Sequence, residues 1–416
     1  MNIVLQSIRQ TAINMNQEQS HLEEALKTQL RINVTDEDLV DGVDRLIYNH
    51  SLNKTEVIKQ LRTTKPTFKK KLTEAEELGL IGEHTSQGKA HLYTNDQVHI
   101  LMEHFGVPKF HEHHDSKLIV VTNHKGGTGK TSTTLALATA TALDLDLNAR
   151  VLILDLDPQG SAGQGTMQIA EDSIYVTMTD ILLAEFEPDN EDNAVNALLK
   201  NGYTIEEIIK QCAFSTHLSN LSVITAFPSD ERFVDTYWQL DENEQVRLLR
   251  KFSEVVLPIL KEVFDVIFVD MPPQDSPITW SALEAAEMLL VPVTPRYYDY
   301  ASTTNFMSNL SDRLESLPSM GSNLQWYKLA AVNYQESSKP EYDTFQKLMR
   351  SVRNNLMTST IAHSDAFTAT ANIGRTVLDI KKSEEVCTSK QFDVAVSSVN
   401  LFYKQFKNEL IQLTIK

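Results

Sequence analysis

The sequence predicts an α/β protein: a parallel-sheet domain with helices on both faces, preceded by a smaller, mainly α domain. Three observations predict it. From Leu118 onward, continuous apolar runs alternate with helix-prone stretches. Leu118–Val121, Val151–Leu154, Val266–Val269, Leu289–Val293 and Leu329–Val332 are such runs, as expected of strands buried on both faces. The first run leads through a glycine-rich loop into a small-residue helix, within VVTNHKGGTGKTSTTLALA at 120–138. Upstream, basic residues gather between Lys54 and Lys71, with Glu56 the one acid among them.

A chain of 416 residues suggests two or three domains. The divisions expected are a helical arm at 1–33, a DNA-binding domain at 34–97, a linker or connecting helix at 98–117 and the sheet domain at 118–416. In the arm, Leu22, Ala25, Leu26 and Leu30 have helical spacing, suited either to its own domain or to dimerisation. Two cysteines, Cys212 and Cys387, are too few for a disulfide framework or a zinc site. The N-terminus lacks the basic and apolar regions of a signal peptide, and no apolar run reaches membrane-spanning length. A cytoplasmic protein is expected. The net charge of −18 argues against a chain that coats nucleic acid with its whole surface, but permits a local basic patch.

Residues 34–97 read as a winged helix-turn-helix. Asn53 and Glu56 form a capping pair that opens a helix carrying Val57, Ile58 and Leu61. Thr63-Thr64 breaks it, and a second helix follows with Pro66 in its first turn. Phe68, Leu72 and Ala75 make its inner face; Lys65, Thr67, Lys69 and Lys70 lie outward, as groove-docking side chains would. Ile81–Tyr93 reads as a hairpin whose tip, around Lys89, is the wing. The run His111–Asp115 contains ligand-type side chains but no matching second cluster, so it reads as polar surface.

Three motifs carry chemistry. In KGGTGKTS, Gly126, Gly127, Thr128, Gly129 and Ser132 belong to a strand–loop–helix phosphate cradle. Lys130 can reach the β/γ-phosphates and the Thr131 hydroxyl can ligate Mg²⁺. In LDLDPQGSAG, Asp155 and Asp157 end a strand; Asp157 suits the positioning of an attacking water, and Asp155 the Mg²⁺ shell or the loop lysine. In FDVIFVDMPPQDS, an apolar strand ends in Asp270, a second Mg²⁺-binding carboxylate, followed by a Gln274-Asp275 loop suited to sensing a γ-phosphate. The expected fold is therefore a P-loop NTPase domain preceded by a mainly α winged helix-turn-helix domain.

KGGTGKTS, DLDPQGSAG and VDMPPQDS, in that order, closely resemble the ParA family of partition ATPases, over roughly Leu118 to the C-terminus. The N-terminal pattern is similar to that of the larger plasmid-type members. The resemblance implies a Mg²⁺-dependent ATPase, with Lys125 as the signature lysine reaching across a dimer to the partner's nucleotide, and Asn333 near adenine. It implies ATP/ADP as ligands, a homodimer on DNA, a ParB-type centromere-binding partner that stimulates hydrolysis, repression of the chain's own operon and a nucleoid-associated location. The late arginine-bearing loop of smaller members is not matched in TIAHSDAFTATANIG; Arg350 and Arg353 upstream, and Arg375, Lys381 and Lys382 downstream, are the alternative basic candidates. A nucleotide-switched repressor without a transport role is the alternative. A membrane-bound cell-division ATPase would need an amphipathic basic tail, for which Leu401, Phe402, Phe406 and Leu410 supply only apolar spacing.

Overall fold

The computed structural model describes residues 42–82, 85–87, 90–160, 162 and 175–416, with isolated helical positions between 10 and 17. The stripe Leu22–Leu30 of the expected arm lies outside the described residues.

The smaller domain contains α1 (Gly42–Asn49), β1 (Leu52–Asn53), α2 (Lys54–Gln60), α3 (Lys65–Glu77), β2 (Thr85–Gln87), β3 (Ala90–Tyr93) and α4 (Asn95–Phe105). Asn53 opens α2 as its spacing predicts. Its side chain accepts from the Thr55 and Glu56 N–H groups at 2.9 and 3.1 Å, and the Glu56 carboxylate accepts from the Asn53 N–H at 2.8 Å. This reciprocal pair satisfies donors that the first helical turn leaves unpaired. Thr64 caps α3. The strands form a three-stranded sheet in the order β1-β3-β2, with Gln87 opposite Ala90 in the hairpin.

Val57, Leu61, Phe68, Leu72, Ala75 and Tyr93 close a small core, to which α4 adds Val98, Leu101 and Met102. α4 thus runs from the expected small domain into the stretch expected as a linker or connecting helix. The first part of 98–117 is an amphipathic helix that completes this core. It is ended by Gly106, whose φ of 71° suits a left-handed C-cap.

The larger domain is built on a seven-stranded sheet of order β10-β9-β4-β8-β5-β7-β6. Its strands are β4 (Lys117–Val121), β5 (Val151–Asp155), β6 (Phe214–Ser215), β7 (Leu221–Ile224), β8 (Val266–Asp270), β9 (Met288–Val293) and β10 (Trp326–Ala331). Every neighbouring pair is parallel except β6 with β7. Alternate side chains enter two different cores. Leu118 and Val120 face one with Ile267 and Val269; Ile119 and Val121 face the other with Val266 and Phe268. Burial on both faces explains why these strands read as unbroken apolar runs.

Helices α5 (Lys130–Leu143), α6 (Pro277–Ala285), α7 (Tyr297–Ser316), α8 (Lys339–Val352), α9 (Asp365–Ala371) and α10 (Ser389–Thr414) lie in the same domain. Phe402, Phe406 and Leu410 of α10 are fully buried in the core that also holds Phe268, leaving Leu401 exposed. The apolar spacing of the tail is thus a core stripe and not a membrane-binding face. No helix among the described residues is long and apolar enough to cross a membrane. The Phe406 ring lies 5.7 Å from that of Phe268. Phe406→Ala should therefore cost about 3–5 kcal/mol, the usual range for deleting a buried phenyl group. Urea denaturation checks this; a loss below about 1 kcal/mol would show that α10 contributes little to the core.

Candidate functional site

Strand register assembles the site. Asp270 at the end of β8 pairs with Val121 at the end of β4 on one side and with Asp155 at the end of β5 on the other. The loop that follows β4 and two carboxylates therefore emerge at one level of the sheet's C-terminal edge, where open α/β folds bind ligands.

Residues 122–129 wrap this edge before α5 begins. Gly127 and Gly129 have φ of 74° and 78°, a region that side chains disfavour. A Cβ on Gly129 would also lie 3.3 Å from Val332 Cγ2. Buried Asn123 braces the loop: its side-chain oxygen accepts from the Lys125 N–H at 3.1 Å, and its amide donates to the Pro292 carbonyl at 2.9 Å. The Thr128 hydroxyl and the Lys130 ammonium each donate to the Lys125 carbonyl at 3.2 Å. Burial lowers the Lys130 pKa, a shift opposed by Asp270 and Asp157.

Thr131 Oγ1 donates to Asp270 Oδ2 at 2.7 Å, and Thr134 Oγ1 to Asp270 Oδ1 at 3.2 Å. Asp270 is fully buried, and loss of hydration pushes its pKa up to about 6 against the pull of these hydroxyls and Lys130. A hydroxyl and a carboxylate side by side are oxygen ligands of the kind that Mg²⁺ takes, so the pair Thr131 and Asp270 fits a divalent cation. Asp155 accepts from the backbone N–H groups of Asp157 and Ala162, both at 3.0 Å, and so shapes the loop that carries Asp157. Asp157 Oδ1 accepts from the Gln159 N–H at 3.0 Å.

Lys125 forms an ion pair with Asp299 in the first turn of α7. Asn333 follows β10 with φ 51°, and its side chain meets His363 Nδ1 at 2.7 Å. Asp275 is engaged by Arg313, at 2.7 Å, and by the Trp280 indole N–H. Burial alone would raise the Asp275 pKa, but these donors hold it below the usual carboxylate range. A groove of about 160 Å³ runs from Thr131 and Ser132 along α5, walled by Phe367, Thr370, Arg375 and Thr376.

Lys65, Thr67, Lys69 and Lys70 are all exposed on α3, opposite buried Phe68, Leu72 and Ala75, as expected. Lys89 lies outside the described residues. Arg350 and Arg353 are exposed at the end of α8 and just beyond it. Arg375 is not a surface cation: it is buried and bonded to Glu384 at 2.7 Å. The histidines of 111–115 do not converge, since His111 faces Asp265 and His114 meets Thr414.

Sequence reasoning missed Asn123 and Asp299. Asn123 stood two residues before Lys125, within a stretch already singled out. Asp299 carries no local signal, because its relation to Lys125 arises only when α7 folds over the phosphate loop.

A family model described as an AAA domain matches residues 116–318. The chromosome partitioning protein ParA of Myxococcus xanthus is 31% identical over 182 residues, 44% of this chain and 53% of that protein. Plasmid partition protein A of Escherichia coli is 25% identical over 264 residues, 61% of this chain and 62% of that protein. The chain thus spans between half and two thirds of these relatives' own length. A solved partition protein shares the fold with a TM-score of 0.63 at 18% identity, covering 89% of this chain and 94% of that one. The phosphate loop, the two aspartate-bearing strand ends and these likenesses agree: over its larger domain the chain is similar to the ParA-type partition ATPases.

Proposed function

We propose that this chain is a Mg²⁺-dependent ATPase of DNA partition that works as a nucleotide-bridged homodimer and binds DNA through α3. The observation that carries the reading is the convergence of Lys130, Thr131 and buried Asp270, beside the Asp157 loop, at one sheet edge. Phosphates enter the 125–130 loop, where backbone N–H groups and the N-terminus of α5 meet their charge. Lys130 leaves the Lys125 carbonyl to contact the β/γ-phosphates. Thr131 and Asp270 would hold Mg²⁺, which when bound would supply positive charge against the phosphate oxygens. Asp157 orients the attacking water at the γ-phosphate, while Asp155 keeps the Asp157 loop in shape. Asn333 and the groove beside Ser132 suit the nucleoside end.

Asp157→Ala should retain ATP binding and lose turnover by a factor of ~10² to 10⁴, the usual contribution of a group that positions a water. Steady-state phosphate release, with binding measured in parallel, checks this; unchanged turnover removes Asp157 from the mechanism.

Lys125 is redundant for its own chain's phosphates, because Lys130 already serves them. Its ion pair with Asp299 supports a side chain held in reserve on the surface that a second copy would cover. A cation there offsets the partner's phosphates across a two-fold axis. Lys125→Ala should weaken ATP-dependent self-association while leaving ADP affinity within about twofold, since a lost interfacial cation acts on assembly and not on the chain's own cradle. Light scattering with ATP and with ADP distinguishes the two; an unchanged ATP-bound assembly contradicts the role.

The small domain supports a winged helix-turn-helix: α2 and α3 are joined by a short turn, the hairpin β2–β3 follows, and the outward face of α3 is basic. Operator binding and autorepression follow from that reading, and a ParB-type partner from the family. Replacing Lys69 and Lys70 by alanine should greatly weaken operator binding and reduce its salt slope by about two units, one for each phosphate contact. ATP turnover without DNA should persist, because α3 and the phosphate loop belong to different domains with separate cores. Anisotropy titrations at several salt concentrations check this; equal affinity and slope would reject α3 as the docking helix.

A further inference from the structure

His50, His217 and Asp379 come from distant parts of the chain and meet where the two domains touch. His50 follows α1 of the small domain, His217 precedes β7, and Asp379 lies between α9 and α10. The Nε2 atoms of His50 and His217 each lie 2.8 Å from the same oxygen, Asp379 Oδ1. The imidazoles stack with centroids 5.3 Å apart and planes at 29°. All three side chains are withdrawn from solvent, at 5%, 7% and 2% exposure. The three ligand-type atoms lie within 4.8 Å of one another, and no other such group of three occurs among the described residues.

We propose that this cluster binds a divalent transition-metal ion of the zinc class, which clamps the small domain onto the nucleotide-binding domain. Two imidazole nitrogens and one carboxylate oxygen are the donor set that zinc takes, with the fourth position left to water. Ligands at about 2.0–2.1 Å in tetrahedral geometry stand about 3.3 Å apart. Around an ion the two 2.8 Å contacts would open by about half an ångström, and the two nitrogens, within 4.8 Å of each other, would settle to the same spacing. Asp379 is oriented for this. Its other oxygen, Oδ2, accepts from the Thr376 N–H and hydroxyl at 2.8 and 2.7 Å, which turns Oδ1 toward the imidazoles. Such outer partners are what hold metal ligands in place. The Asp379 carboxylate offers negative charge to the cation between the two imidazoles. The nearby Arg375 guanidinium is neutralised by Glu384 at 2.7 Å.

The clamp reaches toward the nucleotide. Arg375 and Thr376, which lead into Asp379, also wall the groove beside Thr131 and Ser132. Asn49 adds a second tie across the junction, donating to the Asp379 carbonyl at 2.8 Å. A metal ion here would thus fix the orientation of α3 relative to the nucleotide site.

The test uses the full-length chain, stripped with a chelator and desalted, without nucleotide. Zn²⁺ is titrated by calorimetry, and Co²⁺ by its visible absorption. The expected result is one equivalent per chain, a raised melting temperature with Zn²⁺ and an intense four-coordinate Co²⁺ spectrum. His50→Gln and His217→Gln should each weaken binding by at least about tenfold, a loss that even outer-shell changes reach. A double change of His111 and His113 to Gln should leave binding intact. Absence of stoichiometric uptake in the wild type overturns the proposal, as does full-strength binding by the His50 and His217 variants or loss of binding in the His111/His113 control. Should a variant fail to fold, the Co²⁺ spectrum of the wild type decides: without four-coordinate bands the cluster is a hydrogen-bonded lock and not a metal site.

Discussion

The register of β4 between β8 and β9 is the constraint on which the rest depends. Because backbone hydrogen bonds pair Val121 with Asp270 and Asp270 with Asp155, the strand ends are level. A slip of one residue would turn each alternate side chain to the opposite core and carry Asp270 away from Thr131. The two apolar cores therefore fix the sheet edge that carries Thr131, Asp155 and Asp270 as firmly as they fix the fold. The buried carboxylate of Asp270, costly in itself, is tolerated where two hydroxyls and a lysine face it.

Charge is divided between the functions. The chain as a whole is acidic, with a net charge of −18, yet α3 shows solvent a row of lysines. On the proposed reading, such separation would let a polyanion be engaged on one helix and repelled elsewhere, favouring a defined docking orientation over general adhesion. The two lysines of the glycine-rich loop are handled differently. Lys130 is buried, and Lys125 is held by Asp299, so neither belongs to the exposed basic surface.

Much of this was legible in the sequence, for physical reasons. Glycines needed at positive φ, such as Gly127 and Gly129, and strands buried on both faces leave local signatures. The Asn53–Glu56 cap is readable because its partners are three residues apart. What escaped notice depends on distant contacts. Asp299 matters only because α7 crosses the loop at Lys125, and α4 read as a linker or connecting helix because the core its apolar stripe completes is assembled from α2, α3 and β3. Arg375 looked like a surface cation until its pairing with Glu384, nine residues on, buried it. The short antiparallel β6 carried too few residues to announce itself beside β7.

The central claim is that the edge formed by Lys130, Thr131 and Asp270 holds Mg²⁺ and nucleotide phosphates. A crystal structure of the full chain with a non-hydrolysable ATP analogue and Mg²⁺ tests it most directly. The account predicts phosphates wrapped by the 125–130 loop, the ion on Thr131 Oγ1 with Asp270 behind it, and Asp157 facing the γ-phosphate. Phosphates bound away from the 125–130 loop, or an ion that touches neither Thr131 nor Asp270 directly or through water, would contradict it.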